Sequence, residues 1–402
     1  MTEKNISLDN KNQISGRKPR VVFTFVEAGM AHIMAMTGMM DAFQKKYGDK
    51  CECIKSYIFS DSKNQDVKKM GETVSGHTKK TASNWLYNRF EALSYLTSSR
   101  LTLKFLDGHF RKGRKGFLQD AKELNPDLLV ASYYLPSHLV VETNKKGITD
   151  TLIATYTPDP YIYPAWDRRC DLFLVNNERA YELAVKKGFK KEVVRQIPFI
   201  YKEELLHFNA TRQQAKKEVN IDDKFTVLFS SGAYGAKGTE KLVKKLLATS
   251  LPMNLYVICG KNEEIKVRLE NLKNSMETQV NLQVIGFTDK LAYYMKASDL
   301  LIGKAGFLTM MEARYLECPM IANVAANRLE EIIANYAEKY GLAKKEYRAN
   351  GVVKLVEKCF NDRDYLSSRL INIKDREGEM LGCEKAADLL YDLLKKKFPD
   401  LD

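Results

Sequence analysis

The sequence predicts an α/β protein of two consecutive domains, each a parallel sheet wound by helices. Three observations carry this. Short apolar, β-branched runs of the kind that form strands buried on both faces recur along the chain. Helical segments and small-residue turns alternate with them. The rhythm breaks once, over residues 198–224, and then restarts. At roughly 100–200 residues per domain, 402 residues are enough for two such units with a cleft between them.

The first strand is Arg20-Val-Val-Phe-Thr-Phe-Val26, followed by the small turn Glu27-Ala-Gly-Met-Ala31 and a helical pattern to about Lys46. This is how a doubly wound domain begins. Residues 127–132, 151–155, 172–176 and 193–197 read as further strands, with a short helix over 178–188 that ends at a glycine. Residues 198–224 contain a proline, a charged helix and a polar run, the composition of an interdomain crossing. Strands resume at 225–229, 255–259, 282–285, 300–302 and 320–322, with helices at 291–297 and 308–316, and residues 385–397 form an amphipathic helix. The expected layout is a disordered lead-in over 1–17, domains over 18–198 and 199–378, and a final helix over 379–402 that folds back toward the first domain.

Composition narrows the function. Hydrophobic residues are 45% and charged residues 29% of the chain, which excludes wholesale disorder. No apolar run approaches the ~18–20 residues that span a bilayer. The seven cysteines lack zinc or redox spacing and read as reduced thiols, and residues 1–20 show no apolar signal-peptide core, so a cytoplasmic location is expected. Sixty-four basic residues against 51 acidic ones give a net charge of +13, which favours an anionic partner.

Two stretches carry candidate chemistry. Ser231-Gly-Ala-Tyr-Gly-Ala-Lys-Gly238 joins a strand to a helix. Its glycines let backbone N–H groups approach a phosphate at a helix N-terminus, or they simply ease a turn. It is neither a dinucleotide fingerprint nor a Walker loop. The second stretch runs from Gly286 to Ala313. A strand ending at Lys304 opens on Ala-Gly into a helix expected to start near Thr309. Glu312 would then lie one turn in, where its carboxylate can accept two hydrogen bonds from ribose hydroxyls or serve as capping partner to Thr309.

The run Gly-Phe-Thr-Asp-x-Leu-Ala-x-x-Met-x-Ala-Ser-Asp-Leu-Leu-Ile-x-Lys-Ala-Gly-x-Leu-Thr-x-x-Glu-Ala, residues 286–313, is similar to the donor-site signature of glycosyltransferase family 28. That family includes the lipid-linked N-acetylglucosaminyltransferase of peptidoglycan synthesis and the mono- and diglycosyldiacylglycerol synthases. The resemblance reaches over about residues 20–345, and residues 88–137 look more like the glycolipid-synthase branch. It implies the GT-B fold, two Rossmann-like domains facing across a cleft, with the acceptor on the first and a UDP-sugar on the second. It implies inverting transfer to a hydroxyl, with the UDP-sugar as substrate and no metal or other cofactor required. By the same resemblance Phe287 borders the uracil and Glu312 holds the ribose. Gly306, Phe307, Leu308 and Thr309, with Gly29, Ser231, Gly232 and Gly235, surround the donor. Glu330 and Glu331 keep the polar character of the family's sugar-reading run, whose Gln and Asn positions hold Leu329 and Ile333. His32 stands at the family's general-base position, with Asp159 in reserve; a lone histidine at a helix start is otherwise a polar cap, which its setting after a strand in a small-residue turn argues against, while Asp159 is as readily a turn residue between two prolines. A ring nitrogen with an ordinary pKa near 6.5 suits base catalysis at neutral pH.

Residues 76–118 are basic and interleaved with aromatics, and carry Trp85, Phe90, Arg111, Lys112, Arg114 and Lys115. Such a segment suits an anionic membrane surface. A solvated helix face is the plainer alternative, and no nucleic-acid-binding motif accompanies it. With Tyr134, these residues form the expected acceptor and membrane side. The reading is a peripheral enzyme on the inner face of the cell membrane that glycosylates a lipid, diacylglycerol being the favoured acceptor. The alternatives are a polyprenyl-linked or polysaccharide acceptor, a UDP-sugar epimerase of the same fold, and a nucleotide-sugar- or lipid-binding protein without activity.

Overall fold

The computed structural model describes residues 17–27, 29–80, 99–230, 238–249, 251–370 and 382–401. It contains two six-stranded parallel sheets. The first is built from β1 (Arg20–Thr24), β2 (Glu52–Ser56), β3 (Leu128–Ala131), β4 (Leu152–Tyr156), β5 (Leu172–Val175) and β6 (Val194–Gln196), in the order β2-β1-β3-β4-β5-β6. The second is built from β7 (Thr226–Ser230), β8 (Asn254–Ile258), β9 (Asn281–Ile285), β10 (Leu300–Lys304), β11 (Met320–Val324) and β12 (Lys344–Lys345), in the order β12-β11-β10-β7-β8-β9. This is the expected α/β architecture of two Rossmann-like units.

The strand sequences explain why both sheets are sandwiched. Successive side chains point to opposite faces. Val22 enters one apolar cluster, and Val21 and Phe23 the other. Leu228 and its neighbours Val227 and Phe229 divide in the same way in the second sheet. Helices cover each face. In the first domain they are α1 (Met30–Tyr47), α2 (Gln65–Lys80), α3 (Ser99–His109), α4 (Arg111–Leu124), α5 (Tyr134–Lys145) and α6 (Glu178–Lys186). The crossing carries α7 (Glu203–Leu206) and α8 (Arg212–Glu218). The second domain adds α9 (Thr239–Leu247), α10 (Glu263–Ser275), α11 (Leu291–Ala297), α12 (Phe307–Tyr315), α13 (Arg328–Lys339) and α14 (Ala349–Asn361).

Strand β2 is absent from the sequence reading. Its residues, Glu-Cys-Ile-Lys-Ser, are mostly polar because it is an edge strand, and charged edges discourage further pairing. The crossing is also more structured than its composition suggests. Phe199, Tyr201, Leu205, Ala215, Val219 and Ile221 all join the core of the second domain.

The last helix, α15 (Gly382–Lys397), returns to the first domain and packs along α1. The rings of Tyr47 and Tyr391 stack at 3.9 Å, and Asp388 accepts from both Lys46 Nζ and Tyr47 Oη. Ala386, Leu390 and Leu394 complete the apolar layer under α1. Its first residue has no room for a side chain: a Cβ at Gly382 would lie 2.6 Å from the Pro198 carbonyl oxygen and 2.7 Å from that of Phe199. No helix among the described residues is long and apolar enough to cross a membrane.

Candidate active site at the two switch points

In an open parallel sheet, ligands bind beyond the C-terminal ends of the strands where the winding direction reverses. The first sheet reverses between β1 and β3, and the second between β10 and β7. The candidate residues gather at these two places.

At the first switch point, β1 leads through Gly29 into α1. Gly29 has φ 133° and ψ 155°, a region that only glycine adopts without strain, so the turn depends on it. One turn on, the ring Nδ1–H of His32 donates to the carbonyl of Ser132 at 2.6 Å, and Ser132 Oγ donates back to the His32 carbonyl at 3.1 Å. Ser132 directly follows β3, so these bonds tie the two strand ends together. The Ser132 carbonyl can only accept, which fixes the neutral imidazole as the Nδ1–H tautomer and leaves Nε2 with its lone pair. Burial lowers the His32 pKa to about 4, against a smaller opposing pull from that carbonyl. The tyrosine cluster beside it was not legible as a cluster in the sequence. Tyr133 meets the His32 ring edge-on at 5.5 Å, Tyr134 packs on Tyr133 at 4.4 Å, and Tyr163 on Tyr134 at 5.3 Å. Asp159, on the loop after β4, has its pKa raised to about 6 by burial.

At the second switch point, Ser230 and Gly303 pair across the reversal. Helix α12 begins at Phe307 with Gly306 as its N-cap, not near Thr309, and no side chain caps it. Its first intrahelical bond runs from the Met310 amide to the Gly306 carbonyl, so the amides of residues 307–309 come before the bonded ladder. Thr309 therefore sits inside the first turn, and the expected Thr309–Glu312 capping pair does not form. Glu312 is largely buried instead, its side chain 12% exposed, 3.5 Å from Lys202 Nζ. Burial raises its pKa, and Lys202 works against that rise.

Other expected donor residues divide. Phe287 stands 72% exposed on the loop after β9, with Lys261 Nζ 5.8 Å from its ring. The Phe307 side chain, expected at the donor, is buried against Phe199 and Tyr336, so only its backbone can face a ligand. Leu308 packs partly on the same cluster. Glu330 receives Lys304 Nζ at 2.9 Å and the Ala326 amide at 2.7 Å. Glu331 is drawn away to Lys345 and Tyr347, each at 2.6 Å. Ile333 lies in the core and Leu329 packs against it. Ser231, Gly232, Gly235, Trp85 and Phe90 lie outside the described residues.

On the expected membrane side, Arg111, Lys112 and Lys115 are exposed on α4. Arg114 is not free to serve a membrane, because it pairs with Asp107 at 2.9 Å. That carboxylate also receives Nε2 of the buried His138, whose Nδ1 faces Asp167 at 2.8 Å. Leu101 and Phe105 are 59% and 50% exposed on α3, one turn apart.

Comparison with known proteins bears on the fold and on the second domain. Residues 211–376 match the family model of glycosyl transferases group 1. Processive diacylglycerol beta-glucosyltransferases of Staphylococcus aureus are similar: that of strain MRSA252 is 29% identical over 42% of this chain and 44% of the relative, and that of strain Newman 31% over 38% of each. The match thus spans less than half the length of these relatives. Among solved structures, MurG of Acinetobacter baumannii superposes with a TM-score of 0.60 at 13% identity, over 94% of this chain and 100% of that one. A UDP-GlcNAc 2-epimerase from Neisseria meningitidis, bound to UDP-GlcNAc, gives 0.56 at 13% identity over the same shares. Residues 211–376 are thus similar to glycosyl transferases group 1, and the chain as a whole has the two-domain GT-B fold seen in MurG.

Proposed function

We propose that the protein is a UDP-sugar-dependent glycosyltransferase that moves a hexose onto a lipid hydroxyl, with diacylglycerol as the acceptor. The observation that carries this reading is the division of chemistry between the two switch points. An unprotonated imidazole nitrogen stands at one. An uncapped helix start and a buried carboxylate stand at the other. The similar relatives are diacylglycerol glucosyltransferases by name, which supports the choice of acceptor.

In this mechanism Phe287 lies along the uracil and Glu312 accepts hydrogen bonds from the ribose hydroxyls. The amides of residues 307–309 and the positive end of α12 balance the diphosphate, so no metal is required. His32 Nε2 takes the acceptor proton as the acceptor oxygen bonds to the anomeric carbon. The bond from that carbon to the UDP oxygen breaks, and UDP leaves with the electron pair. Attack opposite the leaving group inverts the anomeric centre. The exposed Leu101 and Phe105, with Arg111, Lys112 and Lys115, support docking on an anionic membrane, where the acceptor is presented.

The test is UDP release from a panel of UDP-sugars, with and without vesicles containing diacylglycerol. Release that requires the acceptor supports the reading. Interconversion of UDP-sugars without an acceptor points to an epimerase. Tight UDP binding with no turnover points to a binding protein.

A further inference from the structure

A second concavity lies in the same domain on the other face of the sheet from α12. It has a volume of about 920 Å³ and is walled by α9, the end of β11 and the start of α14. That is ample for a small ligand. Lys241, Lys245, Arg348 and Lys354 line it, and among the described residues no acidic one does. Lys241 and Lys245 are four residues apart on one helix, where like charges repel. Among the described residues, none of the three lysines has an ion-pair partner, while Arg348 is partly neutralised by Glu346. The lining also includes Asn323, whose Oδ1 is buried without a hydrogen-bond partner. Asn323 is the extra residue where the pairing of β11 with β10 slips, since Gly303 faces Ala322 and Lys304 faces Val324. A bulge of this kind redirects a side chain and recurs beside binding sites.

We propose that this cavity binds a hydroxyl-bearing phosphate ester, a polyol or sugar phosphate, at a site separate from the donor crevice. The lysines supply point charges for a phosphate. The orphaned Asn323 oxygen accepts from a ligand hydroxyl, which a bare phosphate lacks. Neither Glu312 nor His32 lines the cavity, but Gly238, the last residue of the glycine loop assigned to the donor, does, so the test is made with the donor site filled by UDP. The ester can be a free small molecule or the headgroup of a glycerophospholipid such as phosphatidylglycerol.

The experiment titrates the full chain, saturated with UDP, with glycerol 3-phosphate by calorimetry. A parallel arm measures co-sedimentation with phosphatidylglycerol-containing and with neutral vesicles. Binding in either arm should fall at least tenfold in Lys241→Gln/Lys354→Gln and vanish in Asn323→Asp, which puts a negative charge into the cavity. Asn323→Ala should weaken glycerol 3-phosphate more than inorganic phosphate. Glu312→Ala, which weakens UDP, should leave the first arm unchanged when UDP is omitted. Response in the first arm identifies a free ester, and in the second alone a lipid headgroup. The proposal is overturned if neither probe binds, if binding survives all three cavity variants while they remain folded by thermal denaturation, or if one equivalent of UDP displaces glycerol 3-phosphate.

Discussion

Lys202 Nζ lies 3.5 Å from Oε1 of Glu312, so a cation from the interdomain crossing rests on the buried carboxylate of α12. The pair joins the segment that connects the domains to the residue assigned to the ribose. Lys202 keeps Glu312 more acidic than burial alone would allow.

Replacing Glu312 with Ala should weaken UDP binding by ~1.5–3 kcal/mol, the scale of a hydrogen bond to a charged group. Lys202→Met should leave the carboxylate buried without its cation and raise its pKa further. UDP affinity should then fall as pH drops through that raised value, and do so at a higher pH than in the parent. Calorimetric titration of UDP at several pH values reads both effects. An unchanged affinity in Glu312→Ala would leave this carboxylate a purely structural role.

His32→Ala should lower turnover more than ~100-fold and leave UDP affinity intact. Because burial holds His32 near a pKa of about 4, the base form persists in mild acid, and the acidic limb of the rate profile should lie well below 6.5. The folded state resists this protonation while the unfolded chain does not. Stability should therefore fall as pH drops below about 6.5, and the loss should level off near 4. His32→Gln should flatten that part of the stability profile. If turnover in His32→Ala stays at the parent level, the role passes to Asp159.

Gly29→Ala should destabilise the protein by ~1–3 kcal/mol, because a side chain is forced into φ 133°. Gly382→Ala should cost at least as much, since its Cβ meets two backbone carbonyls rather than a movable side chain. Chemical denaturation measures both. A neutral Gly382→Ala would mean that α15 can lift from the crossing at little cost.

The pKa of His138 is raised: burial alone would lower it, but the bonds to Asp107 and Asp167 prevail. Its contribution to stability should be complete below the unfolded pKa near 6.5 and be lost as pH rises through the raised folded value. Replacement by Asn removes the cation the two carboxylates share, while Arg114 still pairs with Asp107 and Arg169 with Asp167, and should cost about 1.5–3 kcal/mol. Denaturation at pH 6 and pH 9 should show the gap between parent and variant narrowing at the higher pH.

For the membrane, Arg111, Lys112 and Lys115 replaced by Ser should reduce binding to anionic vesicles, each contributing ~1 kcal/mol in a salt-sensitive way. Leu101→Ser with Phe105→Ser should weaken binding without changing the salt dependence, because these two act through apolar area. Equal co-sedimentation of all variants with neutral and anionic vesicles would remove α3 and α4 from any docking role.

The sequence exposed the sheets because a strand buried on both faces is built from apolar residues, along the whole of β3 and β5 and through the central residues of β1, β7 and β10. It hid β2, whose edge position makes polar residues the stable choice. The donor signature located α12, but the Thr-x-x-Glu pattern misplaced its start by two residues, because Phe307 is pulled into the helix by its packing on Phe199 and Tyr336. Glu330 and Glu331 were equivalent as letters. Neighbours distant in sequence separate them, sending one to Lys304 and the other to Lys345. The His32–Ser132 bond and the Lys202–Glu312 pair span 100 and 110 residues, beyond the reach of local pattern.

The return of α15 to α1 also bears on how the molecule is made. The apolar face of α1 emerges from the ribosome early, yet Ala386, Leu390 and Leu394, which cover it, are translated more than 300 residues later. At ~5–20 residues per second, that interval is on the order of tens of seconds. Throughout it the first domain is an unfinished fold with a sticky flank, while the whole second domain is synthesised and can close on its own. Vectorial synthesis thus completes the later domain first, and a nascent chain stalled or cut before Gly382 would present chaperones and proteases with the bare surface of α1.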